Sequence, residues 1–186
     1  SSNSVSSILT LKDGTTLIGT YGGGLNVLAR DKRVQQLPMG NNRVIMIHQL
    51  LDGSVWVGTE TGLFEYHSES HTISELEFPY DAKKSTKPIV WDMLKTISGD
   101  IWFATMHHGL YVWPKTAVTD RDPTKVRSLY SPTLPFNTVF ALEKDDNGYI
   151  WGATNDRLVR FDSSTKSAVL YSDRQGLPFS DFDFGV

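Results

Sequence analysis

Residues 52–66 read Asp52-Gly53-Ser54-Val55-Trp56-Val57-Gly58-Thr59-Glu60-Thr61-Gly62-Leu63-Phe64-Glu65-Tyr66. Asp-Gly between apolar runs is a strong hairpin signal, because Gly, and less readily Asp, tolerates the positive φ that such turns require. A short strand, a glycine-containing loop and another strand follow the turn. With an inner strand over 44–50 and an outer strand over 72–78, this segment predicts a four-stranded unit.

The pattern occurs four times along the chain, with the turn glycines as its origin. The glycines are Gly14, Gly53, Gly99 and Gly148. Three positions later stand Leu17, Trp56, Trp102 and Trp151, and six positions later Thr20, Thr59, Thr105 and Thr154. Nine positions before the glycines stand Val5, Val44, Val90 and Val139. Four independent copies of a spaced pattern indicate a true repeat.

The spacing of the repeat predicts the fold class. The turn glycines are 39, 46 and 49 residues apart, and a period of 40–50 residues with four short strands is typical of propeller blades. We therefore predict an all-β partial β-propeller of four four-stranded antiparallel blades over about 3–37, 42–78, 88–131 and 136–172, with the first strand of a fifth over 177–186. Polar insertions at 79–88 and 114–124 account for the longer spacings. We expect Trp56, Trp102 and Trp151 to be buried between blades.

Composition excludes several classes of function. The net charge is −3 with mixed signs, which gives no electrostatic argument for binding nucleic acid. The chain has no cysteine, so disulfides, thiolate metal sites and a cysteine nucleophile are excluded. No phosphate-binding loop or nucleophile elbow is present, and we predict no cofactor.

The pattern Asp-Gly-x-x-Trp-x-Gly-Thr-x-x-Gly-Leu-x-x-Tyr resembles the two-component regulator propeller repeat. Asn42-Arg43-Val44 and Asn137-Thr138-Val139 match the Asn-x-Val start of that repeat. Departures are Leu17 for Trp, Ala104 and Ala153 for Gly, and Arg157 for the loop Gly. The resemblance implies a non-catalytic sensor segment in the periplasm, from a membrane-anchored bacterial receptor with a kinase or diguanylate cyclase output, and glycans as candidate ligands.

Candidate ligand contacts lie in the loops between second and third strands. These loops vary while their flanks repeat, as expected of a binding site on a regular scaffold. Their polar and aromatic side chains suit a small polar ligand such as a sugar or carboxylate. The predicted contacts are Tyr21, Glu60, His107, His108, Asn155 and Arg157.

Three alternatives stay open beside the sensor hypothesis. His107-His108 could ligate a metal, but adjacent residues in a strand point to opposite faces and no third ligand is evident. Residues 150–155 have some similarity to blades of streptogramin-type lyases, without an identifiable catalytic His and Glu. A protein-interaction scaffold is the third alternative. As partners we expect further blades of a longer parent propeller and, for the chain alone, self-association through exposed blade faces.

Overall fold

A computed structural model describes residues 4–40, 43–50, 52–78, 87–129, 136–163, 165 and 167–177. The chain forms two compact units, Ser1–Val90 and Trp91–Val186. Four four-stranded sheets, each with its strands in sequence order, confirm the predicted all-β fold class. The fifth blade predicted at 177–186 lies outside the described residues, except for Leu177.

The unit of residues 1–90 contains two complete sheets. The first sheet consists of β1 (Val5–Thr10), β2 (Thr16–Thr20), β3 (Gly24–Leu28) and β4 (Val34–Gln36). The second consists of β5 (Val44–Gln49), β6 (Val55–Thr59), β7 (Gly62–His67) and β8 (Thr72–Leu76).

The third and fourth sheets belong largely to the unit of residues 91–186. The third consists of β9 (Ile89–Lys95), β10 (Ile101–Met106), β11 (Gly109–Trp113) and β12 (Arg127–Ser128). The fourth consists of β13 (Ala141–Lys144), β14 (Ile150–Ala153), β15 (Leu158–Asp162) and β16 (Ser167–Tyr171). A short helix, α1 (Lys115–Thr119), lies in the insertion at 114–124, where no helix was expected.

The repeated glycine closes the same turn in all four sheets. Its φ is 85° at Gly14, 90° at Gly53, 95° at Gly99 and 84° at Gly148. In each turn its N–H donates to the carbonyl three residues earlier, at 2.9–3.0 Å. The positive φ explains why glycine recurs at this position, since a β-carbon there is strained.

The repeated threonine closes the loop at the other end of the second strand. Its Oγ1 donates to the carbonyl of the residue that opens or precedes the third strand. The four acceptors are Gly24 at 3.0 Å, Gly62 at 3.0 Å, Gly109 at 2.6 Å and Arg157 at 3.0 Å. All four threonines are buried, so a hydroxyl recurs in the core because it has a fixed partner there.

In the unit of residues 1–90, the two sheets pack through an aliphatic core. Leu17, Leu25 and Val27 of the first sheet join Val44 and Ile47 of the second in one buried cluster. The small residue before the repeated threonine permits this approach. A β-carbon on Gly19 would lie 2.5 Å from Cγ1 of Val44, a distance that a larger side chain cannot accommodate.

In the unit of residues 91–186, Trp102 fills the contact between the two sheets. Its ring lies 5.4 Å from that of Phe161, and Val139 and Leu142 belong to the same buried cluster. Trp102 is 6% exposed and Trp56 is 2% exposed, as predicted for both.

Trp151 differs from the prediction because it is only partly buried. It lies on the opposite face of the fourth sheet from its neighbour Ile150, which belongs to the core shared with the third sheet. Trp151 instead packs against Tyr171 of its own sheet, at 5.3 Å between ring centroids. Its Nε1 donates to Oδ2 of Asp145 at 2.8 Å.

Candidate functional site

Three side chains meet at one end of the first two sheets. The β2–β3 loop carries Tyr21, the β6–β7 loop carries Glu60, and Arg43 precedes β5. Tyr21 and Arg43 form an antiparallel β-bridge, and the Glu60 N–H donates to the Arg43 carbonyl at 3.4 Å. Backbone contacts alone therefore place the three residues beside one another.

The side chains form a hydrogen-bonded group, here called the Tyr21–Arg43–Glu60 cluster. The Tyr21 hydroxyl donates to Oε1 of Glu60 at 2.9 Å. Nη1 of Arg43 donates to both carboxylate oxygens of Glu60, at 2.9 and 3.2 Å. The Arg43 guanidinium carbon also lies 5.3 Å from the centre of the Tyr21 ring, within the range of a cation–π contact.

The cluster is held in a defined geometry yet stays accessible. Tyr21 is 37% exposed, and the side chains of Arg43 and Glu60 are 53% and 27% exposed. Partial burial, and then the hydrogen bond to Glu60, raise the pKa of Tyr21 above its usual value. The same carboxylate raises the pKa of Arg43. At neutral pH the cluster thus presents a neutral phenol beside a charged guanidinium.

These groups suit recognition of a hydroxyl-bearing ligand. An exposed part of an aromatic ring supplies apolar contact, the guanidinium has five N–H donors, and the carboxylate oxygens accept further hydrogen bonds.

Tyr21 and Glu60 were both predicted contacts. Arg43 was not predicted as a ligand contact, because the segment Asn42-Arg43-Val44 was interpreted only as the start of a blade. The available signal was its charge, at a position that the repeat places beside the loop of the preceding blade.

The other predicted contacts belong to the unit of residues 91–186. His107 lies in the β10–β11 turn with a φ of 65°, and its N–H donates to Oγ1 of Thr138 at 3.1 Å. His108 is 2% exposed. The metal argument assumed strand geometry for this pair, which is wrong: both residues occupy a turn, and the His108 side chain is buried.

Asn155 and Arg157 lie in the β14–β15 loop. Asn155 is exposed. Arg157 forms an ion pair with Asp156, in which Nε donates to Oδ1 at 2.9 Å. The hydrogen bond from Arg157 lowers the pKa of the Asp156 carboxyl. Arg157 thus has a counter-ion in the neighbouring residue, as Arg43 has in Glu60.

Among the described residues, no group of three or more His, Asp or Glu side chains could hold a metal ion. No helix of the described chain is both long and apolar enough to cross a membrane.

Residues 133–156 match the family described as two component regulator propeller, which confirms the resemblance for the segment containing β13 and β14. No curated protein matches the sequence. Among solved structures, the extracellular domain assigned to a hybrid two-component system of B. thetaiotaomicron is similar, with a TM-score of 0.75 and 18% identity. The match covers 96% of this chain and 24% of that one.

Two further solved structures have similar folds. A catalytically inactive variant of virginiamycin B lyase from Staphylococcus aureus has a TM-score of 0.67 and 16% identity, over 91% of this chain and 55% of the lyase. An auxiliary nutrient binding protein from Bacteroides thetaiotaomicron has a TM-score of 0.62 and 13% identity, over 92% of this chain and 42% of that protein. Together these similarities establish a propeller fold. They do not identify a function, which has to be inferred from the residues of the site.

Proposed function

We propose that this chain is a ligand-sensing segment of the extracytoplasmic region of a bacterial signal-transduction receptor, and that it binds its ligand without catalysis. The observation that carries the proposal is the Tyr21–Arg43–Glu60 cluster, which combines an aromatic ring, a guanidinium and a carboxylate at the loop end of two blades. The family match and the likeness to an extracellular receptor domain support the same cellular context.

The ligand class that fits this cluster is a small polar molecule with vicinal hydroxyl groups, such as a glycan. Hydroxyl pairs match the alternating donors and acceptors of Arg43 and Glu60, while the partly exposed Tyr21 ring packs against sugar carbon atoms. Binding to one of two conformations of the parent receptor would shift its population toward that conformation. A membrane-anchored parent with a cytoplasmic kinase or cyclase would convert that shift into output.

Calorimetric titration with a panel of neutral oligosaccharides tests the proposal. We expect at least one oligosaccharide to bind, and Glu60→Ala to weaken it about tenfold or more, because a charge-assisted hydrogen bond is lost. Glu75→Ala, a carboxylate on the outer strand of the same sheet, is the matched control. Equal affinity in the Glu60→Ala variant and the wild-type chain would contradict the proposed site.

The second candidate function is a lyase, favoured by the fold shared with virginiamycin B lyase. Incubation of the chain with virginiamycin B distinguishes the two: the sensor proposal expects unchanged compound, and steady conversion of the antibiotic would establish enzymatic activity. His107 and His108 would then be the first residues to replace.

A further inference from the structure

A polar cleft of about 290 Å³ lies in the unit of residues 91–186, away from the predicted ligand loops. Its walls come from the β9–β10 turn, the β13–β14 turn and the ends of β13 and β15. Because antiparallel strands alternate in direction, these turns lie at the opposite end of the two sheets from the loops that hold His107 and Asn155. The cleft is therefore distinct from the site considered above.

Lys144 directs its side chain toward this cleft. Leu142, two residues earlier on β13, lies in the core shared with the third sheet, so Lys144 projects from the same face. Its ammonium group forms no ion pair or hydrogen bond with any residue that the structure describes. A cation in a concave, partly buried position that forms no ion pair favours binding an anion.

Asn147 supplies a second donor in the same cleft. At the corresponding turn position of the second sheet, the Asp52 carboxylate accepts hydrogen bonds from the Ser54 N–H and hydroxyl, at 3.0 and 2.5 Å. In the fourth sheet Asp145 takes over this task, with its Oδ1 accepting the N–H groups of Asn147 and Tyr149 at 3.0 Å. The Asn147 carboxamide therefore does not close the turn, and Asn147 lines the cleft.

The opposite wall is polar where the first two blades are apolar. Where the first and second sheets have the buried Leu11 and Leu50, the third has Thr96. The Thr96 hydroxyl bonds to Ser98 at 2.7 Å and to the Asp100 backbone. Beside them, Ile97 is 81% exposed and lines the cleft, which offers an apolar contact next to the polar ones.

The remaining acidic group of the cleft is Asp162, which lies at the end of β15. One of its oxygens accepts the Thr165 N–H at 3.2 Å. A carboxylate accepts about four hydrogen bonds in all, so it can bind groups of its own chain and of a ligand at the same time. In this cleft Asp162 is the acceptor for a ligand hydroxyl, while Lys144 and Asn147 hold a negative group. The volume is near the lower end for small-molecule pockets, which are roughly 300–1,000 Å³.

We propose that this cleft binds a small hydroxycarboxylate. Lys144 and Asn147 donate to the ligand carboxylate, Asp162 accepts from its hydroxyl group, and Ile97 contacts its carbon chain. No covalent step is involved. The site is independent of the Tyr21–Arg43–Glu60 cluster, which lies in the other unit.

Titration of the isotope-labelled chain with glycerate, followed by amide chemical shifts, tests this proposal. Glycerol is the uncharged counterpart with the same carbon chain. We expect saturable shifts at residues 96–98 and 147–149 with glycerate and none with glycerol. Lys144→Gln should weaken glycerate binding about tenfold or more, the effect of losing one charged hydrogen bond.

Lys95→Gln is the matched control, because Lys95 occupies the equivalent position at the end of the inner strand of the third sheet. We expect it to bind glycerate as the wild-type chain does. Asn147→Ala, an exposed turn position, provides a second variant and should also weaken binding. The proposal is overturned if glycerate gives no saturable shifts, if glycerol gives the same shifts, or if Lys144→Gln and Lys95→Gln have equal effects.

Discussion

Oδ2 of Asp92 accepts a hydrogen bond from the backbone N–H of Leu142, 2.8 Å away, and so joins the inner strands of the third and fourth sheets. Ser7 makes the equivalent contact in the other unit, where its Oγ accepts the Ile47 N–H at 3.1 Å. Each bond crosses between two sheets whose described strands share no main-chain ladder. A side chain on one inner strand thus replaces the missing backbone partner of the next.

Replacing Asp92 by Ala should destabilise the chain by about 1–3 kcal/mol, because a partly buried N–H loses its acceptor. Asp92→Asn keeps a carbonyl oxygen at the same position and should cost less. Urea denaturation at neutral pH measures both. Equal stability of Asp92→Ala and the wild-type chain would show that water satisfies the Leu142 N–H and that the bond does not hold the sheets together.

The repeated threonine yields a prediction with a local readout. Thr59 Oγ1 donates to the Gly62 carbonyl and accepts the Thr61 N–H at 3.2 Å. Thr59→Val removes both contacts at nearly constant volume, so the Thr61 amide should exchange its hydrogen faster. Thr59→Ser keeps the hydroxyl and should preserve protection, although it loses a buried methyl group. Unchanged Thr61 exchange in the valine variant would refute the role assigned to this hydroxyl.

Much of this architecture was predictable because it depends on local backbone chemistry. Gly53 and its counterparts mark the hairpin turns by a φ that other residues avoid, and the spacing to Trp56 and Thr59 follows from strand length. The threonine was recognised as a repeated position, yet its hydroxyl contact was not foreseen. That contact depends on the loop conformation rather than on the strand pattern.

The candidate site was less predictable because it depends on pairs of residues from different blades. Tyr21 and Glu60 were identified from loop variation, whereas Arg43 joins them through a bridge whose register the sequence does not show. Trp151 was expected to be buried like Trp102. The repeat pattern shows only which face of the sheet the Trp151 side chain occupies. Whether that face is buried depends on what packs against the fourth sheet, which the pattern does not show.

Tyr66 should make stability fall at alkaline pH. It is 2% exposed, and its hydroxyl lies 2.7 Å from Nδ1 of His71. Burial, and then the charge of Asp13, raise the pKa of Tyr66 above its value of about 10 in the unfolded chain. Above that pH the unfolded state loses a proton that the folded state retains, so the stabilising contribution present below pH 10 decreases as pH rises.

Tyr66→Phe tests this linkage, since phenylalanine cannot ionise. Urea denaturation between pH 8 and 11 should show the wild-type free energy of unfolding falling more steeply than that of the variant, by up to about 1.4 kcal/mol per pH unit. Below pH 9 the variant should be less stable, because it lacks the hydrogen bond to His71. Parallel curves across the whole range would mean that Tyr66 ionises equally well in both states.

Exposed apolar residues on β1 predict self-association of the chain. A bulge in β1 and in β5 places residues three positions apart on one face. On β5 these are Val44 and Ile47, both buried in the core with the first sheet, whereas Val5 and Ile8 of β1 are 51% and 64% exposed. The face of β1 that carries Val5 and Ile8 therefore has the same residue types as the buried face of β5 but is exposed to solvent. A second copy of the chain can cover it.

Gel filtration with light scattering should show a mass above that of the monomer that increases with protein concentration. Ile8→Lys should shift the chain toward the monomer, because it places a charge in the contact. Ile97→Lys is the control: Ile97 is the more exposed of the two, at 81%, but it lies in a turn and not on a sheet face. A strictly monomeric wild-type chain at high concentration, or an equal response of both variants, would contradict association through the β1 face.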